Sequence, residues 1–432
     1  MSYELMEKGV KHRLSPWLKK AIGLTATAAV LIVPSSTIHD RPESLGTAPS
    51  APDFSEYEPD IEIEEAEPTP VVINQPPPPP LMINDVTRDT GTDMQSCEVH
   101  RVCGADLGAI VELNDGRYLH LFGDSFQSAG PHLPDLPDGY DKYRPQTALV
   151  TDEIPTHGKP IEFDSALGTD SEGIAPDLFG WGHTITDGVA IPGTDDIAIS
   201  YQNIKGGRPY WKTDQAGIAW SDDGGKTFEL TGPIWENNED NTDPYQMWSM
   251  QRDGNHVYVV SVRAGRQPGP MMLFRVPHDK ILEKDAYTYW NGDGWGEQKD
   301  AEPIMEGHFG EPSLRKISDG NWVLAYADYS GLPKIVTQTL KNPDDGPSGE
   351  WLDPVTQLTW HQLEFPYGGY VHPASTADNV IMSVSSWKRE WEHDAPEGDK
   401  GELIWYFVGH IMRDLGIKPP EDPGQVANLS IP

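Results

Sequence analysis

Hydrophobic and polar positions alternate in short runs along most of the chain, and the runs are punctuated by Asp-Gly or Asp-Asn pairs. Ala109 to Phe122 turns around Asn114-Asp115-Gly116, Met250 to Val262 around Asp253-Gly254, Leu314 to Ala327 around Asp319-Gly320, and Ser375 to Ser386 around Asp378-Asn379. A looser copy runs from Gly188 to Tyr201 around Thr194-Asp195-Asp196. Alternation with such turns predicts β-hairpins. The polar or aromatic residues ahead of these hairpins, Asp106, His183, Trp248, Glu311 and His372, are separated by 77, 65, 63 and 61 residues. Repetition at that period predicts an all-β, five-bladed β-propeller over residues 96–412, with a short tail at 413–432. Those five residues are then expected to converge on one central funnel. A two-sheet sandwich is the structural alternative, and it gives no reason for five repeats.

The start of the chain lacks this pattern. Lys8, Lys11, Arg13, Lys19 and Lys20 precede an apolar run from Ala21 to Val33, which makes residues 1–38 an export signal or an uncleaved N-terminal membrane anchor. Either way the body is expected outside the cytoplasm, in the extracellular space or cell envelope. Residues 39–95 are rich in acid and proline, including Pro76 to Pro80, and are expected to form a disordered linker.

Composition narrows the partners. Lys plus Arg number 32 against 68 Asp plus Glu, a net charge of -36, which excludes binding of nucleic acid through phosphate neutralisation. With 42 Gly, 40 Pro, 14 Trp and 16 Tyr, the texture is that of strands and turns, not helical bundles. The two cysteines, Cys97 and Cys103, are six positions apart, and in an exported chain are expected to pair as a local disulfide. No close-spaced His or Cys cluster points to a metal, and no cofactor is expected.

The candidate chemistry lies in the first hairpin. With Asn114 to Gly116 as its loop, paired positions sum to 230, which sets Asp106 opposite Asp124. Like charges so placed are destabilising unless one carboxyl keeps its proton, and such a split is what glycoside hydrolysis requires. A register error of one residue would separate the two. Glu311 and Asp328 are further carboxylates expected near the funnel, with His183 and His372 as polar lining. Among the tryptophans near inner strands, Trp181, Trp211, Trp248, Trp387 and Trp391, Trp248 is the preferred sugar-stacking candidate. Ser221-Asp222-Asp223-Gly224-Gly225-Lys226-Thr227-Phe228 fits the Asp-box, a structural turn in which Asp223 ties a hairpin together.

The Gly104-Ala105-Asp106-Leu107-Gly108 and Phe122-Gly123-Asp124-Ser125 pair, with Gly310-Glu311-Pro312-Ser313, resembles glycoside hydrolase family 183 from about Cys97 to Met412. The resemblance implies a five-bladed propeller that cuts α-linked D-arabinofuranose chains of arabinogalactan and lipoarabinomannan, with inversion, through Asp106 and Asp124. It implies a polysaccharide, D-arabinan, as the substrate. Asp106 is taken as the acid and Asp124 as the base. Two other classes stay open: a catalytically silent glycan-binding propeller, and a sialidase-like hydrolase favoured by the Asp-box.

Overall fold

The computed structural model describes residues 82–83, 85–127, 143–168, 173–180, 182–205, 211–391 and 402–415, with the backbone alone at 387–391 and 402–405. The expectations for the signal or anchor at Ala21 to Val33, for most of the linker, and for Trp181 lie outside them, as do the side chains of Trp387 and Trp391.

The described residues are nearly all β. A first unit runs Gly104–Glu112, Tyr118–Phe126, Thr147–Thr151 and Ser165–Ala166, and a second runs His183–Ala190, Ile197–Lys205, Lys212–Ser221 and Ile234–Glu236. Each is an antiparallel four-stranded sheet in chain order. The third unit begins with Met247–Asp253, His256–Val262 and Pro268–Pro277, and the fourth is Met305–Lys316, Trp322–Asp328, Lys334–Thr339 and Val355–Thr359. These two are not separate sheets, because Pro268 to Met271 pair with Met305 to His308 and fuse them. The fifth unit is Pro366–Val371, Val380–Trp391 and Glu402–Arg413.

Turn chemistry explains the hairpins. Gly116 takes φ +86, a left-handed conformation open to it because it carries no Cβ, and Asp115 accepts from the Arg117 backbone N–H at 3.1 Å. The Asp-box closes on itself: Asp223 Oδ1 accepts from the Lys226 and Thr227 amides, both at 3.0 Å, and Oδ2 accepts from the Thr227 hydroxyl at 2.7 Å.

The first strands of the five units neighbour one another in a cycle, first to second through to fifth and back to first. The hydrophobic clusters sit between consecutive units. Leu121 and Ile185 join the first and second, Ile218 and Trp248 the second and third, Leu273 and Leu324 the third and fourth, Val323 and Met382 the fourth and fifth. Phe122, Leu149 and Val408 bring the fifth back to the first.

At the centre, where the first strands converge, Arg315 and Asp187 form a fully buried ion pair, with Nη2 to Oδ1 at 2.7 Å and Nη1 to Oδ2 at 2.8 Å. Arg315 also donates to the carbonyls of Ile110 and Met250, while Asp187 accepts from the Met250 amide. Ser313 Oγ accepts from the Val371 amide at 3.0 Å. These bonds link the inner strands of all five units.

The described end of the linker expected over residues 39–95 is structured. Val86–Arg88 is a buried strand that pairs with Glu402–Arg413, Thr87 opposite His410 and Arg88 opposite Gly409, and Met82–Ile83 pairs outside it. The acidic, proline-rich average hid this: the prolines stop at Pro80, and the β-branched pair Val86-Thr87 follows. At the other end Leu415, assigned to the tail, is buried and donates its amide to the Ala377 carbonyl. Cys97 and Cys103 form a disulfide, with Cα atoms 4.2 Å apart.

The seam between the fifth and first units holds three buried histidines. The His120 and His372 rings lie 6.4 Å apart, and His410 pairs with Asp89 at 2.9 Å. Burial, with the nearby His410, lowers His120 to about 3, and burial also pushes His372 well down. Burial opposes charge on His410 too, but Asp89 outweighs it and raises that pKa. The signs differ. His120 and His372 bind fewer protons folded than unfolded, so their contribution is complete above the unfolded value of about 6.5 and is lost as pH falls below it. His410 contributes below that value and loses its contribution as pH rises through its raised folded pKa. Urea unfolding between pH 7.5 and 5 should show each of the first two withdrawing up to about 1.4 kcal/mol per pH unit. His120→Leu should flatten that slope, and an unchanged slope would remove His120 from the account.

Candidate active site

The first hairpin keeps its expected register at both ends, with Gly104 opposite Phe126, Ala105 opposite Ser125 and Ala109 opposite Leu121. Between them it slips twice, and Leu107 faces Phe122. Asp106 and Asp124 therefore have no regular ladder partner, and the direct opposition expected from the turn is replaced by a bulge. Bulges re-aim side chains beside functional sites. Leu107 at φ +63 and Gly108 at φ +97 form the bulge. Across it, Asp106 Oδ1 lies over Gly123, where a Cβ would collide with it. Glycine at 123 is what lets the carboxyl lie across the strand toward Asp124.

The two carboxyls have different surroundings. Asp106 is 8% exposed, and its Oδ1 has no hydrogen-bond partner. Burial first, then the charges of Asp124 and Glu311, hold its pKa well above the ordinary carboxyl range, against the Tyr367 hydroxyl and Arg266. Burial also raises Asp124, but Asp124 Oδ1 accepts from the Tyr143 hydroxyl at 2.6 Å, and Arg266 favours its charged form. Tyr143 stays protonated, pushed up by burial and by Asp124. Both carboxyls are thus shifted upward, Asp106 the further, so Asp106 is the one of the pair that holds a proton more tightly. Phe126 continues the wall, its ring 5.4 Å from Tyr143 and 5.2 Å from Tyr406.

Glu311 reaches the same place from the fourth unit. It lies in a bulge between Phe309 and Pro312 and is 5% exposed. Arg266 grips both its oxygens, Nη2 to Oε1 at 2.6 Å, Nε to Oε1 at 3.0 Å and Nε to Oε2 at 3.2 Å. The guanidinium lies over Tyr367 at 4.7 Å and Tyr329 at 5.6 Å.

Of the expected site residues, Trp248, Asp328 and His372 are placed elsewhere, while His183 keeps its expected place at the start of an inner strand. Trp248 is fully buried: strand alternation turns it with Met250 into the cluster between the second and third units, edge-on to Trp235 at 4.6 Å, and its Nε1 donates to the Tyr245 carbonyl. It cannot stack on a sugar. Trp211 likewise packs against a core cluster. Asp328 bonds the Ser330 amide at 2.8 Å and pairs with Lys334 at 3.2 Å, so it ties its own hairpin end. His183 starts the second unit's inner strand and packs edge-on to Tyr201 at 5.0 Å. His372 follows the fifth inner strand instead of preceding it. Its ring lies 4.2 Å from Tyr118, at the turn end of the first hairpin, and its Nδ1 accepts from the Ala374 amide. The error was one of strand placement, because Pro366–Val371 is the inner strand and its second residue, Tyr367, stands by Asp106.

Tyr143, Arg266 and Tyr367 were missed. Only Tyr367 carried a usable signal, since Pro366-Tyr367-Gly368-Gly369 begins a strand about one repeat after Glu311. Tyr143 and Arg266 lie in connections whose course no local pattern specifies. Among the described residues, no group of three or more His, Cys, Asp or Glu is arranged to hold a metal ion.

Two fungal proteins are similar over most of their length. The notoamide biosynthesis cluster protein J' of Aspergillus versicolor is 38% identical over 317 residues, covering 69% of this chain and 84% of that protein. Notoamide biosynthesis cluster protein J of Aspergillus sp. (strain MF297-2) is 36% identical over 319 residues, covering 69% and 83%. Among solved structures, an α-L-arabinofuranosidase from Podospora anserina in complex with cellotriose aligns with 77% of this chain and 98% of that one, at 12% identity and a TM-score of 0.41. Residues 92–395, which carry the Asp106–Asp124 hairpin and the Arg266–Glu311 pair, match the model of the domain of unknown function DUF4185, and the chain belongs to that family.

Proposed function

We propose that this chain is a glycoside hydrolase that cleaves internal linkages of a D-arabinan by inversion, on a five-bladed propeller. The observation that carries the reading is the asymmetry of the pair: Asp106 is buried with an orphan oxygen and its pKa is held well up, while Asp124 accepts a hydrogen bond from the Tyr143 hydroxyl and is raised less. Two adjacent carboxyls whose surroundings drive their ionisation apart are an acid and a base. The cycle of inner strands, with hydrophobic clusters between successive units, supports the five-bladed architecture.

In the proposed reaction Asp106 gives its proton to the glycosidic oxygen as the bond to the anomeric carbon breaks. Asp124 takes a proton from the water that attacks the opposite face. The products are a shortened chain and a new reducing end of inverted configuration. Asp106 is left ionised and Asp124 protonated, and exchange with water restores the pair. The choice of α-linked D-arabinofuranose, and the place in glycoside hydrolase family 183, rest on the Gly104 to Gly108, Phe122 to Ser125 and Gly310 to Ser313 motifs. The Cys97–Cys103 disulfide and the basic-then-apolar N-terminus support action outside the cytoplasm.

A substrate panel tests the reading. Purified protein incubated with mycobacterial-type arabinogalactan, xylan and a sialoside should release oligosaccharides from the first alone. Release of sialic acid would favour the sialidase-like alternative, and binding of arabinan without products would favour a glycan-binding role.

A further inference from the structure

We propose that Tyr143 is a positioning residue that aims the Asp124 carboxyl, and that the Cys97–Cys103 loop holds Tyr143 on target by clamping Arg144. The part given to Asp124 rests on the reading above, but the clamp does not.

The chain passes beside Asp124 on the register that pairs Phe122 with Thr147. On that register Ser125 and Arg144 exchange backbone bonds, the Ser125 amide donating to the Arg144 carbonyl at 2.9 Å and the Arg144 amide to the Ser125 carbonyl at 2.8 Å. Alternation from this pair sets Tyr143 opposite Phe126, on the strand face that Asp124 shares. The two rings lie 5.4 Å apart, and the Tyr143 hydroxyl reaches diagonally to donate to Asp124 Oδ1 at 2.6 Å. So short a bond to a carboxyl is strong and directional. Among the described residues no other hydrogen bond meets the Asp124 side chain, so Oδ1 is committed and Oδ2 is the oxygen left to take a proton from water.

Arg144 fixes this segment from the other face. Its buried guanidinium donates Nη1 to the Ala175 carbonyl and Nη2 to the Arg101 carbonyl. Burial opposes its charge, and a buried cation held by carbonyls is a costly way to fill space. What the planar fork supplies is direction, since two bonds in one plane lock the backbone on which Tyr143 stands. Both carbonyls belong to the disulfide loop or to chain that the loop holds. Arg101 lies between Cys97 and Cys103 at φ +58, a left-handed backbone that a long side chain keeps only where its surroundings enforce it. The Arg101 amide donates to the Cys97 carbonyl at 3.1 Å and the Val102 amide to the Ser96 carbonyl at 2.9 Å, and the disulfide closes that turn. Ala175 is tied to the same loop through its amide, which donates to the His100 carbonyl at 3.0 Å, while the Cys103 amide donates to the Phe126 carbonyl at 2.9 Å. The contacts thus run from Phe126 through the loop to Arg144, and back through Tyr143 to Asp124.

Kinetics of the full chain on mycobacterial-type arabinogalactan test this, with carbon NMR of protein labelled at tyrosine Cζ. Tyr143→Phe keeps the ring against Phe126 and removes only the hydroxyl. Its kcat should fall by about 10- to 100-fold with KM within about twofold, the effect of a misaimed base. A folded Tyr143→Phe with unchanged kcat would overturn the positioning role. Cys97→Ser with Cys103→Ser should lower kcat by about tenfold in the wild type and hardly at all in Tyr143→Phe, because both changes act through one bond. A disulfide that only stabilises the fold would cost the same factor in both backgrounds, and that result would overturn the clamp. If the cysteine variant does not fold, Arg144→Lys carries the same expectation, since an ammonium cannot span two carbonyls as the fork does. The Tyr143 Cζ resonance, identified by its loss in Tyr143→Phe, should move in Asp124→Asn and move again in the cysteine and Arg144→Lys variants. A resonance that stays at its wild-type position in the folded clamp variants would also overturn the clamp. A wild type that cleaves no glycan would sink the hydrolase reading, and the Cζ resonance would still decide whether the loop holds Tyr143 in place.

Discussion

Asp106→Asn should lose about 10² to 10⁴ in the rate of arabinan cleavage, the range that positioned acid or base catalysis supplies, while binding of substrate changes little. Asp124→Asn should lose a comparable factor. The first variant should also be more stable than the wild type. Asp106 carries a pKa raised by burial and by Asp124, so the folded protein binds its proton more tightly than the unfolded chain does. The sign follows: stability falls as pH rises from the unfolded value near 3.9 toward the folded one, and the deficit persists above it. Asparagine removes that deficit. Thermal melting at pH 7 should therefore place Asp106→Asn above wild type, with the gap closing as pH falls toward 4. A folded, inactive and stabilised variant is the signature of a strained acid. A folded variant with near wild-type turnover would remove Asp106 from the mechanism.

The largest effect on stability belongs to a different pair. Arg315→Met should leave the Asp187 carboxylate buried without its cation, and should free the Ile110 and Met250 carbonyls that Arg315 holds. Breaking a buried ion pair from one side typically costs about 3 to 5 kcal/mol, because the abandoned charge has lost both water and partner. Urea unfolding should show a loss of that size. Adding Asp187→Asn to Arg315→Met should recover part of it by removing the abandoned charge. If the double variant is no better than the single, the damage comes from lost backbone bonds, not from the charge.

Much of this was legible in the chain. The Asn114-Asp115-Gly116 turn and the alternation beside it fixed the register on both sides of Asp106 and Asp124, and three Asp-Gly turns with the looser Thr194-Asp195-Asp196 turn located four of the inner hairpins closely. What local pattern cannot carry is the identity of groups that meet across units. Trp248 and Asp328 have the right sequence spacing, but spacing does not say which face of a strand meets the core or which carboxylate will find Ser330 and Lys334 first. Arg266 meets Glu311 only because the third and fourth units are packed side by side. The bulge at Leu107 was invisible for a related reason, since a left-handed leucine is imposed by tertiary packing and has no preference of its own to announce it. His372 shows the remaining failure: a longer connection moved the fifth inner strand ahead of the turn that seemed to mark it.

The central claim is that the Asp106–Asp124 hairpin breaks a glycosidic bond. The measurement that meets it most directly is proton NMR of the first anomer formed when the purified protein acts on mycobacterial-type arabinogalactan, with Asp106→Asn and Asp124→Asn run in parallel and circular dichroism as the folding control. New reducing ends should appear within the chain, inverted relative to the linkage cut, and should be nearly absent from both folded variants. Arabinan that binds yet gains no reducing ends with the wild type, or cleavage that both folded variants retain, would contradict the account.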